Sequence, residues 1–360
     1  MSRIAILGSG VMGSALAVPL ADNGHDVRLV GTHLDREIID SLRATGAHPG
    51  LGRALPASVQ PFQLEEAVKA FEGADVVLSG VNSVGVRWAG EQLASLLRPG
   101  QLVVAIAKGV EADAAGNLRI LPEVLAEPVP AEVRDQVAWA AIIGPSIAGE
   151  VAARRESCVV FCGEDREALD RLATTFRTDW YHVWTSTDFV GGEISAAAKN
   201  CYALGVGLAA GELERSDASD SPDRAHNYEA ALFAQAAVEI RGWVTLLGGD
   251  PETPLWLPGV GDMYVTSTGG RNVRVGNLLG TGLGFSDAAG RLGNPTLEGA
   301  AAIRVFGAAL ERLTSRGVVA EHDFPLMRHL YELIALGRPL DMPWSRFFGG
   351  EPRQPAARAA

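Results

Sequence analysis

Arg3–Val18 reads RIAILGSGVMGSALAV, and this stretch decides the fold of the first part of the chain. The short apolar run Ile4–Leu7 meets Gly8-Ser9-Gly10-Val11-Met12-Gly13, and a helix-forming segment follows at once. Gly8 permits a tight turn, Gly10 lets backbone approach a pyrophosphate, and Gly13 lets a helix pack closely on the strand. The N-terminus of that helix offers N–H groups and the positive end of a dipole to phosphates. Glycines also gather in ordinary turns. Here the GxGxxG spacing stands after a strand and before a helix, which predicts a dinucleotide site at Gly8, Ser9, Gly10, Val11, Met12 and Gly13.

Working outward, strand-like and helix-like segments alternate. Strands are expected at Arg3–Leu7, Asp26–Val30, Val76–Val81, Leu102–Ala107, Val137–Ile143 and Cys158–Cys162, with helices between them, as at Ser14–Asn23 and Val86–Leu97. The strands are nearly continuous in apolar residues, as a parallel sheet covered on both faces requires. From Gly192 the pattern is helical almost throughout: Ile194–Leu208, Tyr228–Leu247, Gly259–Thr266, Asn272–Leu279, Leu297–Ser315 and Phe324–Ala335. The expected architecture is α/β: a Rossmann-type, doubly wound domain over residues 1–191, then an all-helical substrate domain over 192–348. Residues 349–360 (GGEPRQPAARAA) read as a flexible tail, and Arg215–Arg224, rich in Asp and Ser, as an exposed loop.

Composition narrows the function. The chain has 360 residues, 47% hydrophobic and 21% charged, the balance of a folded soluble protein of about two domains. No apolar run reaches the roughly 18–20 residues that span a bilayer, and the start reads without a cleavable leader. A formal net charge of −12 argues against nucleic acid as a partner. A few local cations still suffice to hold a phosphorylated small molecule. Cys158, Cys162 and Cys201 are an odd number without metal-like spacing, so they read as reduced thiols in a cytoplasmic protein. The seven histidines do not cluster at ligand spacing, and no metal is expected. The apolar helical half leaves a homodimer open.

Further positions carry chemistry. The strand Asp26–Val30 runs into Gly31-Thr32-His33-Leu34-Asp35-Arg36. A carboxylate at the end of such a strand selects NAD by binding the ribose 2′-hydroxyl. Asp35 comes late for that, whereas Thr32, His33 and Arg36 suit a 2′-phosphate. The reading leaves NAD and NADP open and inclines slightly to NADP. Lys108-Gly109 directly follows a strand, where open α/β sheets place their ligands. Gly144-Pro145-Ser146 ends the next strand, with Ser146 placed to cap the following helix. Lys199-Asn200 lies in a helix of small residues, where a snorkelling lysine is the ordinary alternative.

Eight motifs in order resemble the bacterial and archaeal NAD(P)-dependent glycerol-3-phosphate dehydrogenases. They are GSGVMGSALA (Gly8–Ala17), KG (Lys108-Gly109), GPSIAGE (Gly144–Glu150), GEISAAAKN (Gly192–Asn200), GGDPET (Gly248–Thr253), GVGDM (Gly259–Met263), GGRN (Gly269–Asn272) and LEG (Leu297–Gly299). The resemblance implies reversible reduction of dihydroxyacetone phosphate to sn-glycerol 3-phosphate with NAD(P)H, feeding glycerophospholipid synthesis. It implies that Lys199 exchanges the proton of the C2 oxygen, with Asp262 beside it and Lys108 as a second active-site lysine. Gly144, Ser146, Gly270, Arg271 and Asn272 are then substrate contacts, Arg271 and Asn272 at the phosphate. Lys108, Ala148, Arg271, Thr296 and Glu298 are cofactor contacts.

The chain departs from the family at several positions. Met12 replaces a common Trp, Gly270 a common Ser, and Glu229 a common Lys. Gln235-Ala236 replaces Arg-Gly, and the loop Glu212–Ala225 is longer. Two other readings therefore stay open: a same-fold dehydrogenase of another small hydroxy or keto compound, and a non-catalytic nucleotide-binding regulator.

Overall fold

The computed structural model describes residues 1–216, 225–294 and 296–349. Most of the acidic loop at Arg215–Arg224 and all but the first residue of the tail at 349–360 lie outside the described residues. The chain divides into two compact units, Met1–Lys108 with Ile120–Phe189, and Gly109–Arg119 with the chain from Val190 onward.

The first unit is built on one eight-stranded sheet. Its strands in chain order are β1 (Arg3–Leu7), β2 (Asp26–Val30), β3 (Gln60–Phe62), β4 (Val76–Ser79), β5 (Leu102–Ala105), β6 (Ala138–Ile143), β7 (Ser157–Gly163) and β8 (Tyr181–Ser186). The order across the sheet is 8-7-6-5-4-1-2-3. Strands 3-2-1-4-5-6 have the Rossmann arrangement and are parallel throughout. The central strands β1, β4 and β5 are buried along nearly their whole length, as helices on both faces demand.

Three details differ from the sequence reading. Strand β7, expected in a parallel sheet, pairs antiparallel with β6, Ile143 opposite Val160. Only the short helix Ala148–Ala152 separates the two strands, so the chain returns without a full crossover. β3 and β8 are strands that the reading did not anticipate. β3 is three residues long with Pro61 at its centre, tolerated because it is an edge. β8 alternates buried Tyr181 and Val183 with exposed His182 and Trp184, an edge pattern rather than a continuous apolar run.

Among the described residues the second unit is helical apart from a two-stranded ribbon, Val110–Ala112 against Leu118–Ile120. Residues 109–119, expected within 1–191, fold with this unit because Arg312 reaches across and donates to the Gly116 carbonyl at 2.9 Å. Its long axis is the helix Phe189–Arg215, buried along almost every residue from Gly191 to Ala209. Small residues let a second helix, Arg271–Gly280, press directly on it. A Cβ on Gly276 would stand 2.0 Å from the Leu204 carbonyl oxygen, one on Gly280 2.3 Å from that of Leu208, and one on Gly207 2.4 Å from that of Val273. Gly211, one turn beyond Gly207, would meet the Asn277 oxygen at 1.8 Å in the same way, so the glycines are four residues apart on each helix and two faces without side chains meet backbone to backbone. That contact sets Asn200 against Asn272, whose amide lies 3.4 Å from the Asn200 Oδ1. No helix among the described residues is long and apolar enough to cross a membrane.

Candidate functional site

In the first unit, the loop after β1 has the form the GxGxxG spacing calls for. Gly8 has φ +111°, and a Cβ there would meet the Gly80 carbonyl carbon at 2.8 Å. A Cβ on Gly13 would stand 2.3 Å from the Gly8 oxygen. At Gly10, by contrast, nothing lies within 4 Å of the Cβ position. The two outer glycines are thus required by the protein's own packing, and the middle one leaves open space for a ligand backbone. The helix Val11–Asp22 begins there with Gly10 as its N-cap and no side-chain cap, so its first N–H groups remain available to an anion. The loop fits a dinucleotide pyrophosphate on these grounds.

The three residues expected at a 2′-phosphate are placed differently from one another. Thr32 is turned inward, its hydroxyl donating to Asp35 at 2.9 Å. His33 lies edge-on to Trp88, ring centroids 5.2 Å apart. Arg36 is exposed and ion-paired with Glu65. Lys108 Nζ donates to the Gly144 carbonyl at 2.8 Å, and Gly144 turns the chain with φ +93° after β6. Ser146 does not cap the following helix, whose N-cap is Ile147 without a side-chain bond. Its hydroxyl faces Met12 Sδ at 3.7 Å, joining the loop after β6 to the glycine-loop helix. Ala148 opens that short helix and is half-buried.

In the second unit, Lys199 is 6% exposed and Asp262 2% exposed. Lys199 Nζ donates to Asp262 Oδ1 at 3.0 Å and to Thr266 Oγ1 at 2.7 Å. The Thr266 hydroxyl proton goes to the Asp262 carbonyl oxygen at 2.7 Å, so toward Lys199 this oxygen acts as acceptor. Asp262 opens the helix Asp262–Ser267, entered through the wide turn Leu257–Gly261. Gly259 is required in that turn because a Cβ would stand 2.2 Å from the Pro254 oxygen. Thr266 was not singled out from sequence, although it lies one helical turn beyond Asp262, on the same face.

Asn272 is buried and joins three elements. Its amide donates to Asn200 Oδ1 at 3.4 Å, and its carbonyl accepts from the Gly299 N–H at 3.2 Å. Arg271, by contrast, is exposed at the first position of the helix Arg271–Gly280, and Gly270 is its N-cap. A cation at a helix N-terminus opposes the dipole unless an anion accompanies it. Among the described residues no acidic side chain pairs with Arg271. Glu298 opens the helix Glu298–Ser315, and Thr296 is exposed just before it.

Two family departures fall in the fold rather than on these groups. Gln235 Nε2 donates to Glu239 Oε1 at 2.8 Å. The buried Glu239 also accepts from Tyr202 Oη at 2.9 Å and from the Leu326 and Met327 N–H groups at 2.7 and 2.9 Å. Burial pushes the Glu239 carboxyl above its ordinary range, against the pull of those hydrogen bonds. Glu229 pairs with His226 at 3.1 Å near the surface. Among the described residues no cluster of three or more His, Cys, Asp or Glu is arranged to hold a metal.

A Rossmann sheet with an open glycine loop, joined in one chain to a helical unit that buries a Lys–Asp pair, defines a nicotinamide-dependent oxidoreductase. Comparison with known proteins narrows the class. The family models described as NAD-dependent glycerol-3-phosphate dehydrogenase N-terminus and C-terminus match residues 3–169 and 188–343. The chain belongs to that family. It is 37% identical over 285 residues to the NADP(+)-dependent glycerol-3-phosphate dehydrogenase of Archaeoglobus fulgidus, covering 79% of this chain and 82% of that protein. It is 32% identical over 341 residues to the glycerol-3-phosphate dehydrogenase [NAD(P)+] of Lysinibacillus sphaericus, covering 93% and 92%. The crystal structure of glycerol-3-phosphate dehydrogenase from Coxiella burnetii superimposes with a TM-score of 0.76 at 26% identity, covering 96% of this chain and 97% of that one.

Proposed function

We infer that this chain reversibly reduces dihydroxyacetone phosphate to sn-glycerol 3-phosphate with NAD(P)H, supplying glycerophospholipid synthesis. The observation that carries the reading is the buried Lys199, held at once by Asp262 and Thr266. The bound nicotinamide supplies the hydride. As the ketone is reduced, negative charge develops on its C2 oxygen, and an ammonium fixed in a poorly hydrated site stabilises that charge and delivers the proton. Asp262 compensates the buried ammonium, and Thr266 fixes its direction. In the oxidative direction Lys199 takes the proton back.

Arg271 holds the substrate phosphate with its planar fork of donors, reinforced by the N–H groups at its helix start. Asn272 joins Arg271 at the phosphate, its helix tied to Asn200 and Gly299, and Gly270 contributes as the N-cap of that helix. Binding energy from the phosphate then orients the reacting carbonyl. Lys108 with Gly144 and Ser146 serves substrate, and Lys108 also serves cofactor. The glycine loop Gly8–Gly13 holds the pyrophosphate, and Thr32, His33 and Arg36 lie toward the adenosine ribose. Ala148, Thr296 and Glu298 complete the cofactor contacts.

A slight preference for NADP(H) over NAD(H) is supported by Arg36 and by the likeness to the NADP(+)-dependent enzyme of Archaeoglobus fulgidus. A cytoplasmic location is supported by the three reduced thiols, Cys158, Cys162 and Cys201. Net charge leaves nucleic acid out as a partner, and the apolar helical unit suits a homodimer.

The test is absorbance at the nicotinamide band with dihydroxyacetone phosphate and either NADPH or NADH. Rapid oxidation supports the reading, and the ratio of the two rates measures the cofactor preference. Protein that binds cofactor yet prefers an unphosphorylated ketone would overturn it.

A further inference from the structure

Asp35 stands five residues beyond the end of β2, too late by spacing for the acid that reads an adenosine ribose. The tertiary structure brings it back. Asp35 occupies the N-cap position of the helix Arg36–Thr45, yet its side chain makes no capping bond there. Instead Oδ2 accepts from the Thr32 N–H at 2.9 Å, the Thr32 hydroxyl at 2.9 Å and the Ser9 N–H at 3.2 Å. All three bonds fall on Oδ2, and Oδ1 takes none of them.

Ser9 is the second residue of the glycine loop, and its peptide is gripped on the other side as well. The buried His48 donates from Nε2 to the Ser9 carbonyl at 2.8 Å, while its Nδ1 accepts from the Leu51 N–H at 3.1 Å, which fixes the tautomer. The Gly8 N–H donates to the Val30 carbonyl at 2.8 Å, so the ends of β1 and β2 lie side by side under this carboxylate. In a Rossmann sheet the adenosine ribose lies over those two strand ends. The one arginine expected there, Arg36, is shared with Glu65 in a solvent-exposed pair, which a phosphate can break at small cost.

We propose that Asp35 is a specificity-determining residue for the cofactor. Its carboxylate accepts a ribose hydroxyl of NAD(H), and its charge opposes the 2′-phosphate of NADP(H), which limits the preference that Arg36 supports. This rests on the dinucleotide reading of the glycine loop given above.

Asp35→Asn keeps the shape and an acceptor for Ser9 and Thr32 while removing the charge. The expected result is a rise of about tenfold in the NADPH-to-NADH ratio of kcat/KM, the size of one charge interaction at a partly exposed site. Calorimetric dissociation constants for NADP+ and NAD+ are expected to shift in the same sense. Binding needs no turnover, so it remains readable if the ketone substrate has been misassigned. Asp35→Glu, which lengthens the side chain and keeps the charge, is expected to leave the ratio within about twofold. An unchanged ratio in Asp35→Asn would overturn the proposal, as would a parallel weakening of both cofactors, which marks a loop anchor only. A shift in Asp35→Glu as large as that in Asp35→Asn would also overturn it, by assigning the effect to geometry rather than charge.

Discussion

The ammonium of Lys199 lies 3.0 Å from Oδ1 of Asp262, with 7% and 4% of the two side chains exposed. A buried pair of this kind is a weak source of stability but costly to break from one side. Lys199→Met is expected to lower kcat by at least about a thousandfold, with cofactor dissociation constants within about twofold of wild type. It also removes the cation beside the buried Asp262, at a cost of about 3–5 kcal/mol. Adding Asp262→Asn is expected to restore much of the melting temperature and none of the activity. Turnover that survives Lys199→Met would remove the lysine from the proton-transfer role.

Arg271 differs from Lys199 in being exposed at a helix start. Its loss is expected to act on binding rather than on chemistry. Arg271→Gln should raise KM for dihydroxyacetone phosphate about tenfold to a hundredfold, the worth of a charge-assisted contact of roughly 1.5–3 kcal/mol. Activity on unphosphorylated dihydroxyacetone should barely change. Equal losses on both ketones, measured side by side, would place Arg271 away from the phosphate.

The glycine crossing of the helices Phe189–Arg215 and Arg271–Gly280 positions both groups. Gly276→Ala puts a methyl 2.0 Å from the Leu204 oxygen, so the helices must separate. Overpacking of this kind costs about 1–3 kcal/mol. The melting temperature should fall by several degrees, and KM for the phosphorylated substrate should rise. Alanine tolerated at 276 with an unchanged melting curve would show that the crossing is not tight.

Asp26, on β2, links Arg3 at 2.8 Å, Arg28 at 3.1 Å and Gln60 at 2.9 Å. Burial pushes its carboxyl up, but the hydrogen bonds and charges of Arg3 and Arg28 outweigh this and hold it below the ordinary range. A carboxylate depressed in the native state contributes stability above its unfolded pKa. That contribution is lost as pH falls through the folded value. In denaturant titrations, Asp26→Asn is expected to be less stable than wild type at pH 7, and the gap should close toward pH 3. A gap that stays constant with pH would rule out this linkage.

Much of the fold is legible in the order of residues, because it depends on local periodicity. Ile4–Leu7 followed by Gly8, Gly10 and Gly13 encodes strand, turn and helix within one short segment. The 3.6-residue pattern after Gly192 encodes helices in the same way. Edge strands are less legible. β8 alternates and β3 contains a proline, and neither has the apolar run of a central strand.

The functional groups divide along the same line. The sequence by itself singled out the glycine loop, the two lysines, Asp262 and the Arg271-Asn272 pair as candidates, because each sits in a motif a few residues long. Only the tertiary structure decided what those residues touch. It returned Asp35 to Ser9 across 26 residues, set Thr266 against Lys199 across 67, and engaged Asn272 with Asn200 across 72. It also turned Gln235 to the buried Glu239 and Ser146 to Met12. Local propensity specifies how a segment is shaped and which face it buries. Where a side chain finds its hydrogen-bond partner depends on how closely two backbones pack, and here glycines such as Gly276 allow them to meet.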